Sequence, residues 1–184
     1  MNLKCALCGV QACALNPEKL PSRCPNYEQN PKWIQEYKSQ YAQVAKAAAE
    51  ITLETGLSRI DEIVLFCKKM NYNKIGFAFC KAFSKQAKIA NDYLVNAGFD
   101  VISTMCKIGA ISYEKIGLKH PNKLSLCNPI AQADLFNESK TEFNIVFGLC
   151  VGHDSMFIKH SKALCTVLAV KDKVHDNNPL NALK

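Results

Sequence analysis

The chain has 184 residues, 48% of them hydrophobic and 21% charged, with a formal net charge of +7. That length suits one domain plus a small appendage, with enough apolar content for a core. No apolar run approaches the roughly 18 residues of a membrane span, and residues 1–5 lack the apolar region of a signal peptide, so we expect an unexported, cytoplasmic protein with no membrane partner.

The lysines are spread along the chain without a dense basic tract or interleaved aromatics, so the basic charge reads as a solvated surface and no nucleic-acid partner is expected. Ten cysteines are far more than such a chain needs. In an unexported protein with a full core they point to metal or redox chemistry rather than to disulfides.

Residues 1–31 are irregular, punctuated by Pro17, Pro21, Pro25 and Pro31. Such a segment cannot build a core alone, and a metal is the natural substitute. Residues 32–55 carry apolar side chains at three- and four-residue steps, from Trp33 and Ile34 to Ala48 and Ile51, which predicts one long helix stopped by Gly56. Ser58, with Asp61 and Glu62 behind it, caps a second helix running to about Met70. Cys67 on that helix reads as a buried thiol with no function.

From Asn73 the pattern alternates. Strands are predicted over 74–80, 99–106, 143–150 and 165–171, and helices over 84–96, 128–139 and 153–162. Asn128 followed by Pro129 marks a helix start. Strands alternating with helices imply right-handed crossovers. The expected fold is α/β, a four-stranded, mostly parallel, Rossmann-like sheet with flanking helices. A small irregular Cys-rich metal-binding lobe precedes it. The expected division is residues 1–31 for the lobe and 32–184 for the α/β domain with two leading helices.

The first constellation is Cys5, Cys8, Cys13 and Cys24. Cys5-Ala6-Leu7-Cys8-Gly9 is a knuckle whose two-residue gap lets both thiolates face one ion, with Gly9 expected to allow the tight turn behind them. Four thiolates satisfy a tetrahedral zinc or an iron–sulfur cluster equally well.

The second constellation lies at strand ends. Cys80, Cys106 and Cys150 each close a predicted strand, and Cys127 precedes the Asn128 cap. In open α/β sheets that edge is where sites form. Gly148-Leu149-Cys150-Val151-Gly152-His153-Asp154 places a glycine-flanked cysteine before a helix start, where a thiol is acidified and an anion is favoured. Cys150, His153 and Asp154 are therefore the candidate catalytic residues. Cys80, Cys106, Lys107, Cys127, Asn128, Gly152, Lys171 and Asp172 are the candidate cofactor-binding residues. The G-x-C-x-G spacing also echoes a hydrolase nucleophile elbow, but the chain supplies too few strands for that fold.

These motifs together resemble the uncharacterised cysteine-rich metal-binding family known as domain of unknown function 1847. The resemblance rests on residues 5–13, Cys24-Pro25, residues 75–80, Cys106-Lys107-Ile108-Gly109, residues 127–133, residues 148–154 and residues 171–179. It implies metal binding through cysteines and no known reaction. The family carries Arg at the position of Lys173, and Lys lacks the planar fork of a bidentate anion contact.

Three functions are compatible with the sequence. The first is a metal-binding protein, zinc or iron–sulfur, with a second Cys/His/Asp site of redox or cofactor-handling type. The second is a Cys-dependent enzyme acting on a small anionic substrate, with Cys150 as nucleophile and a structural zinc. The third is a non-catalytic binding or regulatory module with structural zinc. The oligomeric state is not legible.

Overall fold

A computed structural model of the chain describes residues 3–26, 28–121 and 125–184. Met1 and Asn2, where the reading for a signal peptide began, lie outside them. The chain divides into two compact units, Met1–Ala49 and Glu50–Lys184.

The first unit opens with a single 3-10 turn at Cys5–Leu7, then α1 (Ala12–Leu15) and a second 3-10 turn at Pro17–Lys19. Ala12 is buried, whereas Leu3, Leu7, Val10 and Leu15 are exposed. This stretch therefore gains little stability from burial. The predicted 32–55 helix is two helices, α2 (Lys32–Lys38) and α3 (Ala42–Ile51). The break has a local cause. The Ser39 hydroxyl donates to the Gln35 carbonyl at 2.7 Å, and Ser39 leaves the helical region at φ −119°, ψ −93°. A serine that bonds back to the preceding turn competes with the helix ladder. The Tyr41 amide then closes on the Glu36 carbonyl at 3.0 Å, ending α2 before α3 begins.

In the second unit α4 (Arg59–Lys69) starts on a full capping box, with Ser58 and Asp61 each satisfying the other's backbone amide. Strands β1 (Lys74–Phe79), β2 (Asp100–Met105), β3 (Phe143–Phe147) and β4 (Leu164–Ala169) form one sheet in the order β2-β1-β3-β4. Every pairing is parallel. The crossovers are α5 (Ser84–Asn96), α6 (Pro129–Glu138) and α7 (His153–His160). The α/β expectation holds.

Apolar side chains cover both faces of the sheet, as parallel strands require. Ile75, Phe77, Ile145 and Phe147 pack with Ile63 and Cys67 of α4 and Ala87, Ala90 and Leu94 of α5. Ala78 and Val146 pack with Ala133 and Phe136 of α6 and Phe157 of α7, and Cys80 and Cys106 belong to this second layer. Gly76 makes that layer possible. A Cβ there would fall 2.1 Å from the Asn144 amide oxygen and 2.5 Å from the Phe136 ring. Asn144 itself is fully buried but satisfied, accepting from Thr141 Oγ1 and donating to Ser161 Oγ, both at 2.7 Å.

One irregularity bears on the site. Val146 pairs with Val167, but Phe147 pairs with Ala169, so Leu168 is an extra residue in β4. Bulges of this kind re-aim the residues that follow them.

Candidate functional site

The chain leaves β1 for β2 on one side and later returns to β3 on the other. The crevice between the carboxyl ends of β1 and β3 is thus the topological switch point, the usual location of a site in this architecture. Cys80 follows β1, Cys106 follows β2 and Gly148 follows β3.

The parallel ladder extends one rung past the strand ends and holds these residues. Cys106 N–H donates to the Phe79 carbonyl at 2.9 Å, and Cys80 N–H to the Phe147 carbonyl at 3.1 Å. Asn128 N–H donates to the Cys106 carbonyl at 2.8 Å, and Gly148 N–H to the Ala169 carbonyl at 2.7 Å. Phe79 pairs with Met105, so Cys80 and Cys106 occupy the next position on neighbouring strands.

The thiols meet there. Cys80 is 5% exposed and Cys106 3%. The Cys106 thiol donates to Cys80 sulfur, and Lys171 Nζ lies 3.0 Å from the same sulfur. Cys127 Sγ lies 3.8 Å from Cys106 Sγ. The loop that starts α5 adds two amides: Lys81 N–H reaches Cys106 Sγ at 3.4 Å, and Ala82 N–H donates to Cys80.

Charge follows from these contacts. The Cys106 hydrogen bond, the Lys171 ammonium and the Ala82 amide hold Cys80 down to about 4 against the opposing effect of burial. Cys106 is pushed the other way, because it donates to the Cys80 thiolate and is buried. Burial alone would lower Lys171. Its bond to Cys80 and the fields of Cys80, Cys150 and Cys106 outweigh that and hold it above the usual lysine range. The resting arrangement is a thiolate–ammonium pair with a neutral thiol beside it.

Several predicted residues build the frame instead. Lys107 Nζ donates to the Ser125 carbonyl and stands 6.0 Å from the Tyr113 ring, tying down the loop before α6. Asn128 caps α6 by accepting from Ala131 N–H at 3.1 Å, which fixes Cys127 beside Cys106. The Asp172 carboxylate accepts from the amides of Val174 and His175, both at 2.9 Å. These two amides hold it below the usual carboxylate range. It orders the turn that follows Lys171.

The Cys150 group is arranged differently from the sequence expectation. β3 stops at Phe147, so Cys150 lies in the turn after it, and its carbonyl accepts from His153 and Asp154 amides at 2.9 and 3.1 Å. The Asp154 carboxylate accepts from Ser155 N–H at 2.7 Å. Gly152 caps α7 at φ 85° with open space on its Cβ side. Cys150 reaches the cluster through its field on Lys171. Cys67 and Cys165 stand outside it: Cys67 is fully buried, and burial raises both thiols.

In the first unit, Cys8 N–H closes on the Cys5 carbonyl at 3.0 Å, and Gln11 N–H donates to Cys8 Sγ at 3.5 Å. The Gln11 and Val10 amides, with Arg23 nearby, hold Cys8 below the usual thiol range. The left-handed residue of this knuckle is Gln11, at φ 47°, and not Gly9, which corrects the role expected of that glycine. All ten cysteines are free thiols. Among the described residues, no three His, Cys, Asp or Glu side chains are close enough to hold one metal ion. No described helix is long and apolar enough to cross a membrane.

Sequence reasoning missed Lys81, Ala82 and Phe83. The signal was present, since a strand, a cysteine and then a helix start occur at Cys80 as they do at Cys150. Phe83 closes the site. A Cβ on Gly148, which sits at φ 62°, would fall 2.4 Å from the Phe83 ring, and Lys171 Nζ stands 5.9 Å from its centre.

Residues 24–168 match the family described as protein of unknown function (DUF1847). Cys5, Cys8 and Cys13 and the Lys171 turn lie outside that match. An uncharacterized protein of Methanocaldococcus jannaschii is 37% identical over 187 residues, covering 98% of this chain and 93% of the relative. No solved structure matches. On the breadth of the family match and of this relative, the chain belongs to the DUF1847 family.

Proposed function

We propose that the protein binds metal through its N-terminal cysteines and carries out redox or cofactor-handling chemistry through the thiols at the sheet edge. The observation that carries the reading at the sheet edge is Lys171 Nζ at 3.0 Å from Cys80, with Cys106 bonded to that sulfur and Cys127 beside Cys106. An ammonium at the mouth of a buried thiolate, beside two further thiols, keeps a reactive sulfur at neutral pH, which a structural core does not need.

The metal half rests on donor chemistry. Cys5, Cys8, Cys13 and Cys24 are thiols in a stretch with little core, and the Gln11 and Val10 amides favour the thiolate form of Cys8 that a metal would take. The donor types suit zinc or an iron–sulfur cluster, and binding either would have to draw together thiols that stand apart in this structure, supplying the folding energy the stretch lacks. Full-length protein purified without oxygen should contain stoichiometric zinc or iron, with labile sulfide if a cluster is present. Folded, metal-free protein overturns this half.

A second reading is a Cys-dependent enzyme acting on a small anionic substrate. The ion pair at Cys80 favours that sulfur over Cys150 as the nucleophile. A brief iodoacetamide pulse at pH 7, mapped by mass spectrometry, should label Cys80 well before Cys106 and Cys67. Cys80 modified no faster than Cys106 or Cys67 by iodoacetamide and by hydrogen peroxide alike overturns both readings of the edge.

A further inference from the structure

We infer that Cys80, Cys106 and Cys127 form a thiol relay that reduces a small hydroperoxide, with Cys80 attacking, Cys106 resolving and Cys127 taking the disulfide outward. This rests on the redox half of the function proposed above and names its substrate class.

The geometry supports each transfer. Cys80 and Cys106 occupy equivalent positions on neighbouring parallel strands. Adjacent strands are about 4.8 Å apart, within the roughly 4.4–6.8 Å Cα separation that a disulfide spans. Cys106 already donates to Cys80 sulfur, and Cys127 sulfur lies 3.8 Å from Cys106 sulfur. The thiols also grade from inside to outside: Cys80 and Cys106 are buried, while Cys127 is half-buried.

Access selects the oxidant. Cys80 is 5% exposed, with Lys171 on its sulfur and the Phe83 ring below Lys171. Exchange with an external disulfide needs three sulfurs in line and two substituents clear of the walls. A hydroperoxide presents a single small oxygen and needs far less room. Low-pKa thiolates beside a resolving thiol are the ones that peroxides oxidise where the oxidant reaches the sulfur, and a sulfur this enclosed admits only a small one.

The steps balance. Cys80 thiolate attacks the terminal oxygen of the hydroperoxide. The S–O bond forms, the O–O bond breaks, and the departing alkoxide takes a proton from Lys171 and leaves as alcohol. Sulfur is oxidised by two electrons to a sulfenic acid and the peroxide is reduced. Cys106 then attacks Cys80 sulfur. The S–S bond forms, and hydroxide leaves with the Cys106 proton as water. Finally Cys127 attacks Cys106 sulfur, expels Cys80 as thiolate and returns its proton to Lys171. The ion pair is restored, and the Cys106–Cys127 disulfide can be reduced by a low-molecular-weight thiol.

The test uses full-length protein, one equivalent of hydrogen peroxide at pH 7, thiol counting and peptide mapping. Two thiols should be lost per peroxide, and they should map to Cys106 and Cys127. Cys127→Ser should accumulate a Cys80–Cys106 disulfide, and Cys106→Ser should stop at a Cys80 sulfenic acid that dimedone captures. Lys171→Met should slow the first step by about tenfold or more, because it removes the proton donor to the departing alkoxide as well as one of the contacts on the thiolate. Cys127 is half-buried, so its substitution disturbs folding least and keeps the test usable if Cys106→Ser does not fold. If Cys80 alkylates rapidly but peroxide leaves it untouched, or oxidises it without forming a disulfide, the relay is wrong and the reactive thiol stands. If Cys80 resists both reagents, the relay and the redox reading fall together.

Discussion

Lys171 Nζ lies 3.0 Å from Cys80 Sγ, across 91 residues of sequence. Cys80 comes from the end of a central strand and Lys171 from the exit of an edge strand. The extra residue Leu168 shifts the β4 register by one just before the strand ends, and Lys171 follows that shift. The ammonium therefore meets a thiol already polarised by Cys106.

The pair sets a pH dependence for the sulfur. The contacts to Cys80 lower its proton affinity, so its reactivity should stay flat from pH 7 down toward the folded value of about 4 and fade below it. In Lys171→Met the fade should move to higher pH, and in Lys171→Arg it should stay closer to the wild-type position. Alkylation rates of Cys80 measured from about pH 3 to pH 9 check this. Identical profiles for wild type and Lys171→Met would remove Lys171 from the site.

Gly148→Ala should destabilise the second unit by about 1–3 kcal/mol, the usual cost of overpacking. The added Cβ meets the Phe83 ring at 2.4 Å, and φ 62° disfavours any side chain there. Urea unfolding measures the loss. Phe83→Leu in the same chain should recover part of it, since the contact is with the ring.

Asn144→Ala should cost about 1–3 kcal/mol through the partners it abandons. Thr141 Oγ1 keeps only its longer bond to the Phe136 carbonyl, at 3.3 Å, and Ser161 Oγ loses a donor. The urea midpoint should fall with little change in the rate at which iodoacetamide labels Cys80, because this network lies at the far end of the sheet from the thiols.

Cys67 gives an alkaline limit. Burial, with a smaller push from Glu142, raises its thiol from 9.0 to about 12. The folded state holds the proton more tightly than the unfolded chain, so the contribution is complete below pH 9 and is lost as pH rises toward 12. Stability measured by denaturant at successive pH values should decline in that window, and Cys67→Ala should show a shallower decline. The same burial leaves Cys67 inert to iodoacetamide at pH 7.

Asn128→Ala removes the α6 cap and should cost about 1 kcal/mol. It also loosens the turn that sets Cys127 beside Cys106, so the Cys106–Cys127 disulfide should form more slowly under mild oxidation while labelling of Cys80 stays near wild type. Peptide mapping over time separates the two effects.

The sequence by itself determined the local elements. Serine and asparagine caps, short apolar runs and period-3.6 stripes depend only on neighbouring residues, so α4, α5, α6 and the four strands were legible within a few positions. It also brought Cys80, Cys106, Cys127 and Lys171 onto one candidate list, because alternating strands and helices send every strand end to the same edge. The tertiary structure decided the rest. The shift of emphasis from Cys150 to Cys80 came from strand order and from a bulge, which set distances between segments far apart in the chain. A thiol's ionisation depends on what stands within a few ångströms of it. Composition and spacing can name the groups that could fill that space, but only the folded chain places an ammonium, a second thiol and an amide around one sulfur.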